Sequence, residues 1–130
     1  MQQQDGLALP LLAACESQTT GRHAEEPPAL TSREHLKIWD AGCASGEEAY
    51  SLKIVWEQCV APGMPAVAFS VLGTDVDKAV LDRARRGCYA AATLRELPGA
   101  WVAQSFDIED DHYCVKNALR EGVSFVRQDI

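Results

Sequence analysis

Seven residues, Asp40-Ala41-Gly42-Cys43-Ala44-Ser45-Gly46, carry the spacing D-x-G-x-x-x-G. The apolar stretch before them ends at Trp39, and Glu47-Glu48-Ala49-Tyr50 after them reads as a helix start. A strand that passes through a glycine turn into a helix brings bare backbone N–H groups and a helix N-terminus to one point. A nucleotide-like ligand fits there. Gly42 lets the chain turn sharply, and Gly46 lets a ligand approach the helix start. A second signal is Leu72-Gly73-Thr74-Asp75, an apolar run that ends in a carboxylate. Asp75 can accept hydrogen bonds from both hydroxyls of a ribose. Together the two signals point to a nucleoside ligand.

The details favour S-adenosylmethionine over a dinucleotide. The dinucleotide fingerprint G-x-G-x-x-G is not met, because Ala44 stands at its middle glycine. The interval from Gly46 to Asp75 exceeds the roughly 20 residues usual in dinucleotide sites. The loop Ala61-Pro62-Gly63-Met64-Pro65 accounts for the excess.

Plainer readings stand beside these. Two glycines can serve an ordinary strand-to-helix turn. Asp75 or Asp77 can cap the next helix; Asp77 fits the cap better, which leaves Asp75 for a ligand. Ser45 and Glu48 match the S-x-x-E capping box, and Glu47 and Glu48 suit a helix N-terminus as anions. Asp129-Ile130 closes a third apolar run and can contact a base edge. His23, His35 and His112 are scattered and read as solvated. So do Arg83, Arg85 and Arg86 at a helix end.

The positioning elements alternate. Leu36 to Ala41 reads as a first strand and Ser45 to Cys59 as a helix, with Ala49, Leu52, Trp56 and Cys59 on one face. Ala66 to Gly73 is a near-continuous apolar run, the pattern of a parallel strand covered on both faces. Asp77 to Arg86 reads as a second helix with Val80, Leu81 and Ala84 inward, and Gly87 supplies its C-terminal turn. Arg95 to Phe106 reads as a short helical segment around Pro98-Gly99, Ile108 to Leu119 as a small hairpin, and Val123 to Arg127 as a third strand. This order predicts an α/β, Rossmann-like class I fold: the first three parallel strands of a doubly wound sheet, with helices. Such a sheet needs further strands to close the ligand crevice, so residues 35–130 read as a partial domain. Residues 1–34 read as poorly ordered, with Gln2-Gln3-Gln4 and Glu25-Glu26-Pro27-Pro28 among them.

Composition sets outer bounds. The 130 residues allow one domain with a modest core. A net charge of −7 argues against a nucleic-acid backbone as partner. No apolar run approaches the roughly 20 residues that span a bilayer, so no membrane insertion is expected. Cys15, Cys43, Cys59, Cys88 and Cys114 are irregularly spaced, without C-x-x-C. They read as reduced thiols in a cytoplasmic protein, with neither a disulfide framework nor a metal site. Cys43 has no histidine nearby in sequence to activate it and reads as a small residue in a tight place.

The stretch Trp39 to Ser51 resembles the W-x-A-G-C-[AS]-[ST]-G-E-E-x-Y-S segment of the chemotaxis receptor methyltransferases, the CheR-type family. Thr74-Asp75-Val76-Asp77 is similar to that family's x-D-[IV]-D strand end. Val80 to Tyr89 resembles its A-L-x-x-A-R-x-G-x-Y, and Val123 to Ile130 its V-x-F-x-x-x-[ND]-L. The resemblance covers about residues 36–130. It implies S-adenosylmethionine as cofactor, held by Ala41, Gly42, Cys43, Gly46, Glu48, Asp75, Asp129 and Ile130. Glu48 and Asp75 would contact it, Gly42 would lie against it, and Asp129 and Ile130 would lie beside the adenosine. It further implies O-methylation of glutamate side chains on the cytoplasmic domain of bacterial chemoreceptors. The region Phe106 to Leu119 corresponds to a small β-subdomain that docks receptor, without the glycine-rich loop of tail-binding members.

Two family segments are missing. Residues 1–35 contain no N-x-T-x-F-F-R, whose arginine lies near the reacting methyl in the family, and no C-R-N-V-x-x-Y-F occurs. No residue is therefore assigned as catalytic. A non-catalytic remnant or regulatory module is the first alternative reading, and a dinucleotide-binding fragment the second. A half-sheet with an unpaired edge is also expected to self-associate.

Overall fold

The computed structural model describes residues 34–129. The expectation for residues 1–33, and for Ile130, lies outside the described residues. Strands β1 (Glu34–Ala41), β2 (Val67–Asp75), β3 (Cys88–Tyr89), β4 (Phe106–Glu109), β5 (His112–Val115) and β6 (Val123–Arg127) alternate with helices. The helices are α1 (Glu47–Val55), α2 (Lys78–Arg86), α3 (Gly99–Ser105) and the single turn α4 (Asn117–Arg120). A parallel sheet has the order β1-β2-β6, and a small antiparallel sheet has the order β3-β5-β4. The α/β, Rossmann-like reading holds.

Register assigns the faces. Ile38 pairs with Val71, and Val71 with Val123; Asp40 pairs with Gly73, and Gly73 with Phe125. Laterally paired residues share a face. That face packs on Tyr50 and Ile54 of α1 and on Leu81 and Ala84 of α2, all buried in one core. The other face carries Trp39, Leu72 and Val126, which are 56%, 38% and 48% exposed. Among the described residues β2 is thus covered on one face. Its continuous apolar run led to the expectation of two covered faces, because a run carries no record of which layer is present.

Phe125 holds the layers together. Its ring packs edge-on against Tyr50, with centroids 5.5 Å apart. A Cβ at Gly73 would lie 2.7 Å from that ring, and one at Gly46 would lie 3.0 Å from it. Two chain positions are bare so that one ring can fill the centre.

Helix ends follow local chemistry. The Asp77 side chain accepts the Ala79 N–H at 2.9 Å, and Gly87 ends α2 at φ 62°. These are the predicted caps. Helix α1 is shorter than the expected span of Ser45 to Cys59. It gives way to a π turn at Trp56–Val60 and a 3-10 turn at Ala61–Gly63. Trp56 stacks on Phe69 with centroids 4.5 Å apart, and Pro62 lies in the turn that ends the segment.

The predicted hairpin is β4–β5, with Asp110 and Asp111 at positive φ in its turn. Strand β3 joins it and places Cys88 opposite Cys114. These two form a disulfide. For this pair the expectation of reduced thiols is corrected. The cysteines lie 26 residues apart in sequence, and only antiparallel pairing brings them face to face.

Phe125→Ala is expected to cost about 3–5 kcal/mol, a large share of the roughly 5–15 kcal/mol typical of a domain. Urea unfolding measures it, and a loss under about 1 kcal/mol would refute the central role of the ring.

Candidate functional site

Parallel pairing sets Asp40-Ala41 beside Gly73-Thr74, so β1 and β2 end together. The turn 42–46 leaves β1 and folds over the end of β2. Gly42 and Cys43 both donate their N–H groups to the Thr74 carbonyl, at 2.7 and 2.9 Å. Ala44 donates its N–H to Asp75 Oδ2 at 3.0 Å. Bare N–H groups were expected here. Instead three of them are spent on β2, because the register puts Thr74 opposite the residue that precedes Gly42. The path needs left-handed backbone at Gly42 (φ 72°), Ala44 (φ 49°) and Gly46 (φ 90°).

The two motif glycines do different work. A Cβ at Gly42 would meet nothing within 4 Å, so space is open beside it. Gly46 is buried, and a Cβ there would lie 2.9 Å from Ala84 Cβ. Its N–H already donates to the Cys43 carbonyl at 3.0 Å. Gly46 therefore serves packing, while the space open to a ligand lies beside Gly42.

The capping box is also corrected. Gly46 is the N-cap of α1, and no side chain caps the helix. Ser45 Oγ donates to Glu47 Oε1 at 2.5 Å, while Glu48 turns toward Asp40. The left-handed N-cap residue has no side chain to offer.

Three carboxyl groups surround the turn. Asp75 Oδ1 accepts the Asp77 N–H at 3.0 Å while Oδ2 takes that of Ala44. The N–H of Asp77 foremost, with those of Ala44 and Val76, holds the Asp75 carboxyl below the usual range. Asp40 is 7% exposed, and its Oδ2 has no hydrogen-bond partner. Burial foremost, then the carboxyl of Glu48, pushes Asp40 up from 3.8 to about 7. Cys43, 1% exposed, is pushed up to about 11 by burial and by the charges of Asp40 and Asp75. At neutral pH it is a neutral packing thiol, as its sequence context implied.

Other predicted residues fall around this basin. Ala41 ends β1, exposed. Asp129 is exposed just past β6, where the Gln128 N–H donates to the Asp75 carbonyl at 2.9 Å. Arg85 is no free helix end: its guanidinium donates to the Phe125 carbonyl at 2.9 Å. Two further contributors were not singled out from sequence. Asp40 was visible as a carboxylate at a strand end, but its burial was not. Thr74 has a carbonyl that clamps the turn and an Oγ1 that accepts from Trp39 Nε1 at 2.9 Å.

Residues 19–130 match the family described as CheR methyltransferase, SAM binding domain. The chain belongs to this CheR family. A chemotaxis protein methyltransferase of Listeria innocua is 34% identical over 76% of this chain and 36% of its own length. One from Listeria monocytogenes is 32% identical over 90% of this chain and 41% of its own. A putative methyltransferase, Cher3, of Pseudomonas putida is 35% identical over 78% of this chain and 38% of its own. The chain spans well under half the length of these relatives.

S-adenosylmethionine is the cofactor of this CheR domain. The residues present fit it. The turn has committed three N–H donors and is ringed by carboxyl groups, which suits hydroxyl and ammonium donors and repels a pyrophosphate. Asp75 suits the ribose hydroxyls, the unpartnered Asp40 Oδ2 suits a cationic donor, and the open side of Gly42 leaves room beside the turn. Among the described residues no helix is long and apolar enough to cross a membrane, and no cluster of side chains suits a metal ion.

The raised Asp40 carboxyl gives a signed pH effect. Its proton is held more tightly in the folded chain than in the unfolded one, so the stabilising contribution is complete below about pH 4. That contribution is lost as pH rises to about 7. Asp40→Asn cannot ionise and should flatten this decline in Tm against pH. An unchanged slope would refute the buried-carboxyl assignment.

Proposed function

We propose that the chain is the cofactor-binding part of a protein-glutamate O-methyltransferase acting on the cytoplasmic domain of a bacterial chemoreceptor. Membership of the CheR family and the names of the matched relatives support this reading. The observation that carries it is the carboxyl-ringed turn, in which Asp40, Glu48 and Asp75 converge where β1 and β2 end. When bound, the cofactor supplies an activated methyl group to an oxygen of the substrate carboxylate. Asp75 anchors the ribose end, Asp40 and Glu48 anchor the aminoacyl end, and Gly42 admits close approach. Asp129 borders the base, and the expectation for Ile130 lies outside the described residues. A substrate carboxylate is already ionised at neutral pH, so the chain has to orient and not to deprotonate. The cytoplasm is the compartment such a substrate domain requires, and cytoplasmic thiols would there oppose the Cys88–Cys114 bond.

A cofactor-binding regulatory module is the second reading. It is favoured by the lack of an N-x-T-x-F-F-R segment in residues 1–35. Calorimetric titration with S-adenosylhomocysteine, followed by methyl transfer to a chemoreceptor fragment, separates the two. We expect micromolar binding, at least tenfold weakening in Asp75→Ala, and a base-labile label on the receptor. Binding without transfer would favour the module. A folded chain that binds nothing would sink both.

Self-association through the outer edge of β1 also belongs to this proposal. Among the described residues that edge has no neighbouring strand, and Trp39 lies exposed on the adjoining face. Light scattering should show a concentration-dependent dimer or larger species. A monomer at about 100 μM, with an interface of even modest affinity expected, would remove the idea.

A further inference from the structure

Asp40 and Glu48 are brought together by the fold and not by the sequence. Asp40 ends the buried face of β1, and Glu48 lies in the first turn of α1. Two ionised carboxylates have only acceptors to offer each other, so Asp40 Oδ2 then has no partner. With one proton between them, the same contact is a hydrogen bond. A carboxyl oxygen that is more than nine-tenths buried and unpartnered calls for a proton or for another cation.

We propose that Asp40 and Glu48 form a proton-sharing pair that exchanges its proton for the α-ammonium group of the cofactor, coupling cofactor binding to proton release. This rests on the cofactor assignment and not on the choice of receptor as substrate. The balance is simple. The pair with one proton carries one negative charge. The ammonium group enters with one positive charge and donates N–H bonds to both carboxylates, and one proton leaves to solvent. No covalent bond other than that O–H is broken.

Surrounding groups leave this pair as the titrating unit. From the turn, the Cys43 thiol stays protonated through neutrality, since its own titration lies at about 11. From β2, Asp75 is held ionised by backbone N–H donors. From α2, Arg85 contributes a permanent positive charge. From α1, Tyr50 is raised above the ordinary tyrosine range and stays neutral, as does Tyr89 of β3. Glu47 on the same helix turn is engaged by Ser45 Oγ. Asp75 differs from the pair in kind: both its oxygens already hold N–H donors, so it can accept ribose hydroxyls without a change of charge.

The test is calorimetric titration of the 130-residue chain with S-adenosylhomocysteine, which has no sulfonium charge, in buffers of different ionisation enthalpy. With Asp40 titrating at about 7, release of about half a proton per ligand is expected at pH 7, rising toward one at pH 6. Affinity should weaken toward a limit of about tenfold per pH unit below that point. Asp40→Asn should reduce release to near zero, and Glu48→Gln, used should the first variant fail to fold, should reduce it in part, because burial of Asp40 remains. 5′-Methylthioadenosine, which lacks the ammonium group, should bind without release. Binding that is independent of pH, or release undiminished in the folded variants, would overturn the proton exchange alone. Absence of binding at every pH would overturn the cofactor site with it.

Discussion

The Thr74 carbonyl is the fixed point of this structure. It takes two N–H groups of the turn at once, from Gly42 and Cys43, and Asp75 takes a third. A glycine turn between a strand and a helix has its donors free for an anionic ligand when nothing else claims them. Here the neighbouring parallel strand claims them. What remains around the turn is acceptor-rich, which under the proposed function takes donors: hydroxyls at Asp75 and a cation at Asp40 and Glu48. The polarity of the ligand follows from where backbone hydrogen bonds go.

That clamp depends on packing several residues away. Phe125 fills the space that side chains at Gly46 and Gly73 would take, and Ala84 closes in beside it. Gly73 lies one residue before Thr74, and Gly46 begins α1. The same ring therefore sets the distance between β2, the helix start and β6. Tyr89 adds a tie from the second sheet, donating its hydroxyl to the Ser45 carbonyl at 2.6 Å. The turn is held from below by the core and from the side by two hydrogen-bonded neighbours. This pre-organisation suits the orienting task proposed for the chain.

Burial gives the site its electrostatic character. Asp40 and Asp75 end adjacent strands of one sheet, yet their carboxyl groups shift in opposite directions. Asp75 stands near solvent among N–H donors that favour its charge. Asp40 is enclosed beside a second carboxyl that disfavours it. Identical side chains thus provide a permanent anion and a proton-dependent one within a single turn.

Much was legible in the chain alone. Strand β1, the Asp77 cap, the Gly87 stop, the β4–β5 hairpin and the closing strand β6 follow from apolar period and terminal residues, which are local properties. The spacing in Asp40 to Gly46 and the carboxylate at Asp75 marked the candidate site for the same reason. Tertiary structure decided what depends on neighbours distant in sequence. Parallel register spent the turn's N–H groups and made Gly46 a packing residue. Antiparallel pairing joined Cys88 to Cys114. The helix layer on one face of the sheet turned Asp40 from a motif letter into a buried acid. Residue types and spacing report local geometry, whereas register, burial and partner choice arise only when distant segments share the same space.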